Sequence, residues 1–153
     1  TAPALESRLA MLGASLLVET LEGLETGKII PEPQSDADAT YAPILKKEDG
    51  RIDWAWPANR IANQVRGFLL WPGAYTTFNS QQLRIWSAKA DDRYVGAPGS
   101  LQVKDHTLRV ACGEGTSVQI EELQLEGRKK IRASDFVNGR RLTADDILGE
   151  KTN

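Results

Sequence analysis

The sequence is poor in residues that build covalent or metal-bound scaffolds. Its single cysteine, Cys112, excludes an internal disulfide and a cluster of thiolate metal ligands. Histidine also occurs only once, at position 106. No run approaches the roughly 18 apolar residues that cross a bilayer, and no basic-then-apolar segment typical of a secretory signal opens the chain. These features predict a globular, cytoplasmic protein in a reducing compartment.

Charge is unevenly distributed along the 153 residues. The net charge is −2, but residues 1–50 hold four basic and nine acidic residues, a net of −5, which leaves residues 51–153 at +3. Within residues 127–141, six cations accompany the single acid Asp135. The six are Arg128, Lys129, Lys130, Arg132, Arg140 and Arg141. On composition alone this segment is either a solvated surface loop or a contact for a polyanion such as RNA.

The first fifty residues predict a helix followed by a linker. Leucines at helical spacing indicate one helix over about residues 3–26, which Gly27 ends. Because Gly13 weakens this helix, we expect it to pack either on the domain that follows or on an absent domain. Residues 34–40 lie among prolines and have no apolar period, which predicts an extended linker. Since Thr1 is not methionine, we expect a piece of a longer protein.

The remainder predicts a mainly β domain with flanking helices. Pro57 opens a short helix, and Trp54 and Trp71 beside it are expected to wedge it against the strands. Alternating segments predict strands over 74–78, 83–88, 100–104, 107–112 and 117–125, with Leu101 and Val103 among the inward side chains. Short helices are predicted over 134–138 and 143–148. Five antiparallel strands favour a partly open OB-type barrel or, alternatively, a β-sandwich.

The alternation breaks inside the last predicted strand. Val118 and Ile120 share one parity, whereas Leu123 and Leu125 have the other. One extra residue near positions 121–122 would return both pairs to the same face, so we predict a β-bulge there.

Residues for bond-making chemistry are scarce. His106 falls in a predicted hairpin turn, and Cys112 alternates with apolar strand residues, so we interpret the first as an exposed turn residue and the second as core. Bond-making chemistry at a carbonyl needs a positioned base and a donor that stabilises the oxyanion, and no such set is evident. We therefore assign no catalytic, metal-binding or cofactor-binding residue.

Several motifs together resemble one enzyme family. They are Gly-Arg-Ile-Asp-Trp at 50–54, Val-Arg-Gly-Phe at 65–68, Trp-Pro-Gly-Ala-Tyr at 71–75, and Leu-Gln-Leu-Glu-Gly-Arg-Lys-Lys at 123–130 with Asp-Phe at 135–136. This pattern resembles the C-terminal domain of methionyl-tRNA formyltransferases. The resemblance implies three parts: residues 1–30 as the terminal helix of an absent catalytic domain, 31–50 as a linker, and 51–153 as an OB-like C-terminal domain.

The resemblance also implies a function for the parent enzyme. It would transfer a formyl group from 10-formyltetrahydrofolate to initiator methionyl-tRNA in translation initiation. In the family the catalytic residues lie in an upstream Rossmann-like domain, so this chain would be inactive alone, without a cofactor of its own or a membrane partner, and would bind tRNA. The candidate nucleic-acid contacts are Arg128, Lys129, Lys130, Arg132, Arg140 and Arg141, followed by Arg66, Arg51, Lys46 and Lys47.

Two alternatives stay open at this point. The trailing domain of a nucleotide-sugar formyltransferase has a similar pattern, although the basic run at 128–130 with Asp-Phe at 135–136 favours the tRNA enzyme. A barrel that serves only to dock another protein is the second alternative, because +3 is a small charge for an RNA-binding domain.

Overall fold

A computed structural model describes residues 1–140, 142–143 and 146–149. The chain forms two compact units, Thr1–Ile44 and Leu45–Asn153. Among the described residues, no helix has both the length and the apolar character needed to span a bilayer.

The first unit contains the long helix α1, Ala2–Glu25, followed by a single 3-10 turn at Asp36–Asp38. Its bounds match the predicted helix to within one residue at each end. Gly27 adopts a φ of 69° just past the helix, where a left-handed conformation favours glycine. The leucine stripe is 41–64% exposed. It comprises Leu5, Leu9, Leu12, Leu16, Leu21 and Leu24.

The second unit is built on one antiparallel sheet. Its strands are β1 (Ala74–Phe78), β2 (Gln81–Asp91), β3 (Leu101–Lys104), β4 (Thr107–Ala111), β5 (Ser117–Leu125) and β6 (Ile131–Arg132). The strand order is β1-β2-β5-β4-β3, and β6 pairs with β5. Two-residue turns with positive φ join β1 to β2 at Asn79 and Ser80, and β3 to β4 at Asp105 and His106.

The predicted β-bulge is confirmed in β5. Ser87 pairs with Glu122 and Ala88 with Ile120, which leaves Glu121 as the extra residue. A matching irregularity in β2 leaves Trp86 without a partner in the register. The bulge keeps buried side chains on one face of β5 before and after it, as the change of parity in the sequence required.

Helix α2, Ala58–Gly67, packs against β2 and covers the core. Its buried face includes Ile61 and Val65, which meet sheet residues such as Leu83 and Leu108 in a single cluster. The Ala58 amide donates to the Thr116 hydroxyl at 2.9 Å, so a loop next to β5 satisfies the start of the helix. A further short helix, α3 (Ala133–Asn138), follows β6 near its predicted position.

The predicted five-stranded barrel needs correction, because the sheet has six strands and is open. Among the described residues, the edge strands β1 and β3 do not pair with each other. Instead, Ile147 forms a bridge with Ser100, the Leu148 amide donates to Gly99, and the Gly149 amide donates to Thr77 of β1. The C-terminal segment therefore spans the gap between the two edges.

The predicted helix over 143–148 is wrong at the described residues 143 and 146–148, none of which is helical. Residues 144–145 lie outside the described part of the chain. The Asp146 carboxylate accepts a hydrogen bond from the Thr143 amide at 2.7 Å, as in half of a capping box. Ile147 forms an isolated bridge and Leu148 and Gly149 are bends that make the edge contacts just described, because long-range pairing overrides the local signal.

Two predicted core positions are wrong, and a third is confirmed. Val103 on the edge strand β3 is 42% exposed. Trp71 is 57% exposed, and its indole donates to the Leu45 carbonyl instead of wedging α2. Trp54 is 6% exposed and donates to the Thr76 hydroxyl at 3.0 Å, which confirms its structural role.

A buried ion network joins the end of β2 to β4 across the intervening strand β5. The side chains of Asp91 and Arg109 are only 4% and 8% exposed, and their charged groups are 3.1 Å apart. Arg93, which is 65% exposed, binds the same carboxylate at 2.8 Å. Hydrogen bonds from Arg93 and then Arg109 hold the pKa of Asp91 well below its ordinary range, although burial acts in the opposite direction.

Candidate nucleic-acid interface

A tight turn between β5 and β6 presents the first predicted cations. Gly127 has a φ of 70°, and the Arg128 amide donates to the Leu125 carbonyl at 3.0 Å. The side-chain amide of Gln124 donates to the Arg128 carbonyl at 2.7 Å, which ties the turn to β5. The turn is thus held by hydrogen bonds while its basic side chains stay exposed.

Three of the six predicted cations line one surface cleft of about 320 Å³. They are Arg128, Lys129 and Arg140, and we call this feature the cationic cleft. Asp135 and Phe136 also line it. In the described part of the chain, none of the three cations has a carboxylate within ion-pair distance. Their positive charge is therefore available to an anion.

Arg140 is positioned differently from the other two. Its guanidinium carbon lies 5.2 Å from the ring centroid of Phe136 and 5.6 Å from that of Phe78. The two rings contact each other edge to face, with centroids 5.5 Å apart, and both are buried. Cation–π attraction therefore holds this guanidinium at the surface of the aromatic pair.

Lys130 does not belong to the cationic cleft. Its ammonium lies 2.9 Å from a carboxylate oxygen of Glu122 and 5.7 Å from the Trp86 ring centroid. The guanidinium of Arg84 stacks on the same ring at 3.9 Å, and the indole donates to Gln124 at 2.9 Å. The structure thus divides the predicted basic run between two surfaces, and on this one a carboxylate pairs with the lysine.

The other members of the basic segment are placed as follows. Arg132 is exposed on β6, where it pairs in register with Glu122 of β5. Arg141 lies outside the described residues. Strand pairing with β5 therefore fixes the backbone of the segment between the turn and α3, which the sequence pattern did not reveal.

The second group of predicted contacts lies on other elements. Lys46 and Lys47 are exposed at the 3-10 turn Lys47–Gly50, and Arg51 bridges in register to Tyr75. Arg66 lies in the last turn of α2, where its side chain bonds to Asn63. Among the described residues, these four cations are not part of the cationic cleft.

The two residues considered for chemistry lie where the sequence predicted them. His106 is an exposed turn residue whose Nδ1 is 2.8 Å from Oδ1 of Asn138. Cys112 is buried in the core, and burial raises the pKa of its thiol to about 11, so the nucleophilic thiolate is scarce at neutral pH. The described residues also contain no group of three metal-binding side chains.

Sequence reasoning missed the aromatic support of the interface. Phe78 lies on β1, far from the basic segment in sequence, so no local pattern linked it to Arg140. Arg84 alternates with buried residues along β2 and lies outside the basic segment of the sequence. Arg84 and Trp86 are two residues apart on a strand, so both lie on the face opposite the core. This spacing is the signal that could have identified the Arg84–Trp86 pair.

The chain is similar to proteins named methionyl-tRNA formyltransferase. It is 55% identical over 147 residues to a methionyl-tRNA formyltransferase of Solibacter usitatus, covering 95% of this chain and 47% of the relative. Proteins of the same name from Koribacter versatilis and Bacillus velezensis are 47% and 42% identical, covering 97% and 95% of this chain and 47% of each relative. The chain spans about half the length of these curated relatives.

Solved structures of HypX from Aquifex aeolicus have a similar fold. One variant matches with a TM-score of 0.59 at 20% identity, over 80% of this chain and 22% of HypX. A complex of HypX with tetrahydrofolic acid matches with a TM-score of 0.56 at 20% identity, over 79% and 22%. The model of the formyl transferase C-terminal domain matches residues 44–141. This chain belongs to the formyl transferase C-terminal domain family.

Proposed function

We propose that this chain is the C-terminal part of a methionyl-tRNA formyltransferase and that it binds the tRNA substrate. The observation that carries this proposal is 55% identity over 95% of the chain to a protein of that name. The parent enzyme would transfer a formyl group from 10-formyltetrahydrofolate to initiator methionyl-tRNA in the cytoplasm. The tetrahydrofolic acid complex of HypX, a protein of similar fold, supports a folate co-substrate. We infer that this chemistry occurs in the half of the relatives that lies outside this chain.

The cationic cleft is the proposed tRNA contact. RNA carries one negative charge per nucleotide, and lysine and arginine side chains that replace its counterions supply affinity without reading sequence. A-form stems are recognised mainly through their shape, phosphates and 2'-hydroxyls. Arg128, Lys129 and Arg140 have no carboxylate partner among the described residues, so they suit this role better than Lys130, whose ammonium already has Glu122 as a partner.

We assign the three parts of the chain accordingly. Residues 1–30 would be the terminal helix of the catalytic domain, 31–50 the linker, and 51–153 the tRNA-binding domain. The leucine stripe of α1 supports the first assignment, because side chains that are 41–64% exposed would gain free energy by burial against a partner domain. We infer an OB-like but open arrangement for that domain, which the contacts of residues 147–149 with segments at both edges of the open sheet support.

A charge-removal experiment tests the proposed function. The triple variant Arg128→Ala, Lys129→Ala, Arg140→Ala is expected to bind initiator tRNA about 30-fold more weakly than the wild-type chain near 0.1 M salt. Fluorescence anisotropy of labelled tRNA would measure both affinities. The loss is expected because each cation contributes roughly 0.7 kcal/mol when it contacts a phosphate at an exposed site.

A matched control removes the same charge elsewhere. Arg8, Lys28 and Lys104 are exposed cations outside the basic segment, and their triple alanine variant has the same net charge as the cleft variant. It is expected to bind tRNA within about threefold of the wild type, since net charge contributes only through long-range attraction. The proposed contact would be contradicted if both triple variants lost the same affinity for tRNA, or if both bound tRNA as tightly as the wild type.

A further inference from the structure

Arg140 differs from its neighbours because its guanidinium lies over two buried aromatic rings. The backbone reaches Arg140 directly after α3, whose end is closed by the Gly139 amide donating to Asp135 at 3.0 Å. From there the side chain lies on the Phe78–Phe136 pair, 5.2–5.6 Å from the centroids. Because both rings are at least 97% buried, their positions are set by the core, and they restrict the guanidinium in turn.

This arrangement restricts the group without using its hydrogen-bond donors. A guanidinium that contacts aromatic carbon keeps its N–H groups free, and their fork matches two oxygens of a phosphate or carboxylate. Among the described residues, no carboxylate pairs with Arg140. Because the guanidinium is restricted before binding, it loses less conformational entropy when it contacts an anion. A freely rotating surface lysine loses more.

We propose that the cationic cleft is a subsite for a single phosphate group, with Arg140 as its bidentate anchor. Arg128 and Lys129 line the same cleft and add positive charge around the bound group. The ligand is one phosphodiester of an RNA backbone, so the inference rests on the proposed function and names the contact that positions the RNA. Asp135 also lines the cleft and repels an anion, but the three cations leave the lining with a net positive charge.

Binding of small phosphates to the full 153-residue chain tests the subsite directly. Adenosine 5'-monophosphate and inorganic phosphate at millimolar concentration are expected to shift the Nε–H resonance of Arg140 in nitrogen-15 NMR spectra. Adenosine at the same concentration is expected to leave it unchanged. The phosphate subsite would be overturned if neither phosphate compound shifted the Arg140 resonance, or if adenosine shifted it as far as they do.

The anchor role is tested by exchanging arginine for lysine at two sites in the cleft. Arg140→Lys keeps the charge but loses the planar fork, so tRNA affinity is expected to fall about tenfold. Arg128→Lys is the matched control and is expected to stay within about twofold, since that side chain acts as a positive charge on a turn. Equal affinities of the two variants would show that Arg140 is not an anchor.

Two measurements separate the possible failures. Thermal unfolding of each lysine variant shows whether the change has disturbed the Phe78–Phe136 packing. If a variant melts at the wild-type temperature, its change in tRNA affinity is due to the altered contact. If the wild-type chain binds no tRNA, the proposed function fails, and the NMR titration still decides whether the phosphate subsite exists. If tRNA affinity depends on the cleft but Arg140→Lys does not change it, only the bidentate role of Arg140 is wrong.

Discussion

Replacing Asp91 with asparagine is expected to lower the free energy of unfolding by about 3–5 kcal/mol. The change removes the negative charge that Arg109 faces at 3.1 Å inside the domain. Arginine cannot release its proton at any ordinary pH, so the variant must keep an uncompensated cation in a site where the side chain is 8% exposed. Urea unfolding followed by tryptophan fluorescence measures the loss.

Two control variants show whether the cause is the buried cation. Arg93→Ala removes the exposed partner of the same carboxylate and is expected to cost much less, since water screens that pair. Adding Arg109→Met to Asp91→Asn is expected to recover part of the loss, because the unpaired cation is then gone. An Asp91→Asn variant within about 1 kcal/mol of wild type would contradict this view of the network.

The same network predicts how stability depends on pH. The folded-state pKa of Asp91 lies below its ordinary value of 3.8, so its contribution is fully present above that value. As the pH falls from about 5 through 3.8 and below, the unfolded chain takes up the proton first, and the contribution is lost. The difference in unfolding free energy between wild type and Asp91→Asn is therefore expected to shrink over this range in urea titrations. A constant difference would mean that the pKa of Asp91 is not depressed.

Gly113→Ala is expected to destabilise the domain by about 3 kcal/mol. A Cβ at this position would overlap the carbonyl oxygen of Ala55, which belongs to the segment that leads into α2. The Gly113 amide donates to the carbonyls of Trp54 and Trp56 at 2.9 and 3.0 Å, so the segment cannot withdraw without losing these bonds. Urea unfolding again provides the measurement.

Gly67 is the matched control for that substitution. It lies at the end of α2, and a Cβ there would meet no atom within 4 Å. Gly67→Ala is expected to leave the free energy of unfolding unchanged or to raise it by up to about 1 kcal/mol through helix propensity. If both alanine variants behave alike, close approach of the backbone is not what requires glycine at position 113.

Features that depend on local pattern were predictable from the sequence. Strands β1 and β5 begin and end where the alternation does, and the change of parity located the bulge at Glu121. The ends of α1 follow from leucine spacing and from Gly27, because helix termination is decided within a few residues. The basic composition of the segment after β5 likewise identified a candidate surface without any knowledge of the fold.

Features that depend on pairing across the chain were not predictable. The two-residue strand β6 exists only because β4 stops short of the C-terminal end of β5 and leaves Glu122 and Leu123 available for pairing. Asp91 contacts Arg109 only because the strand order brings β2 and β4 to opposite sides of β5. The sequence also grouped Lys130 with Arg128, whereas the strand pairing turns it toward Glu122. Side chains that are adjacent in sequence point to different surfaces at the end of a strand, and a charge count cannot separate them.

The salt dependence of tRNA binding tests the electrostatic role of the cationic cleft most directly. For the wild-type chain, the logarithm of the association constant should fall linearly with the logarithm of salt concentration. In the variant with Arg128, Lys129 and Arg140 changed to alanine, the slope should be smaller in magnitude by about 0.7–0.9, since that is the contribution of the one phosphate that the cleft holds. Identical slopes for the two proteins, or wild-type affinity that does not change with salt, would show that the cleft does not hold the RNA backbone.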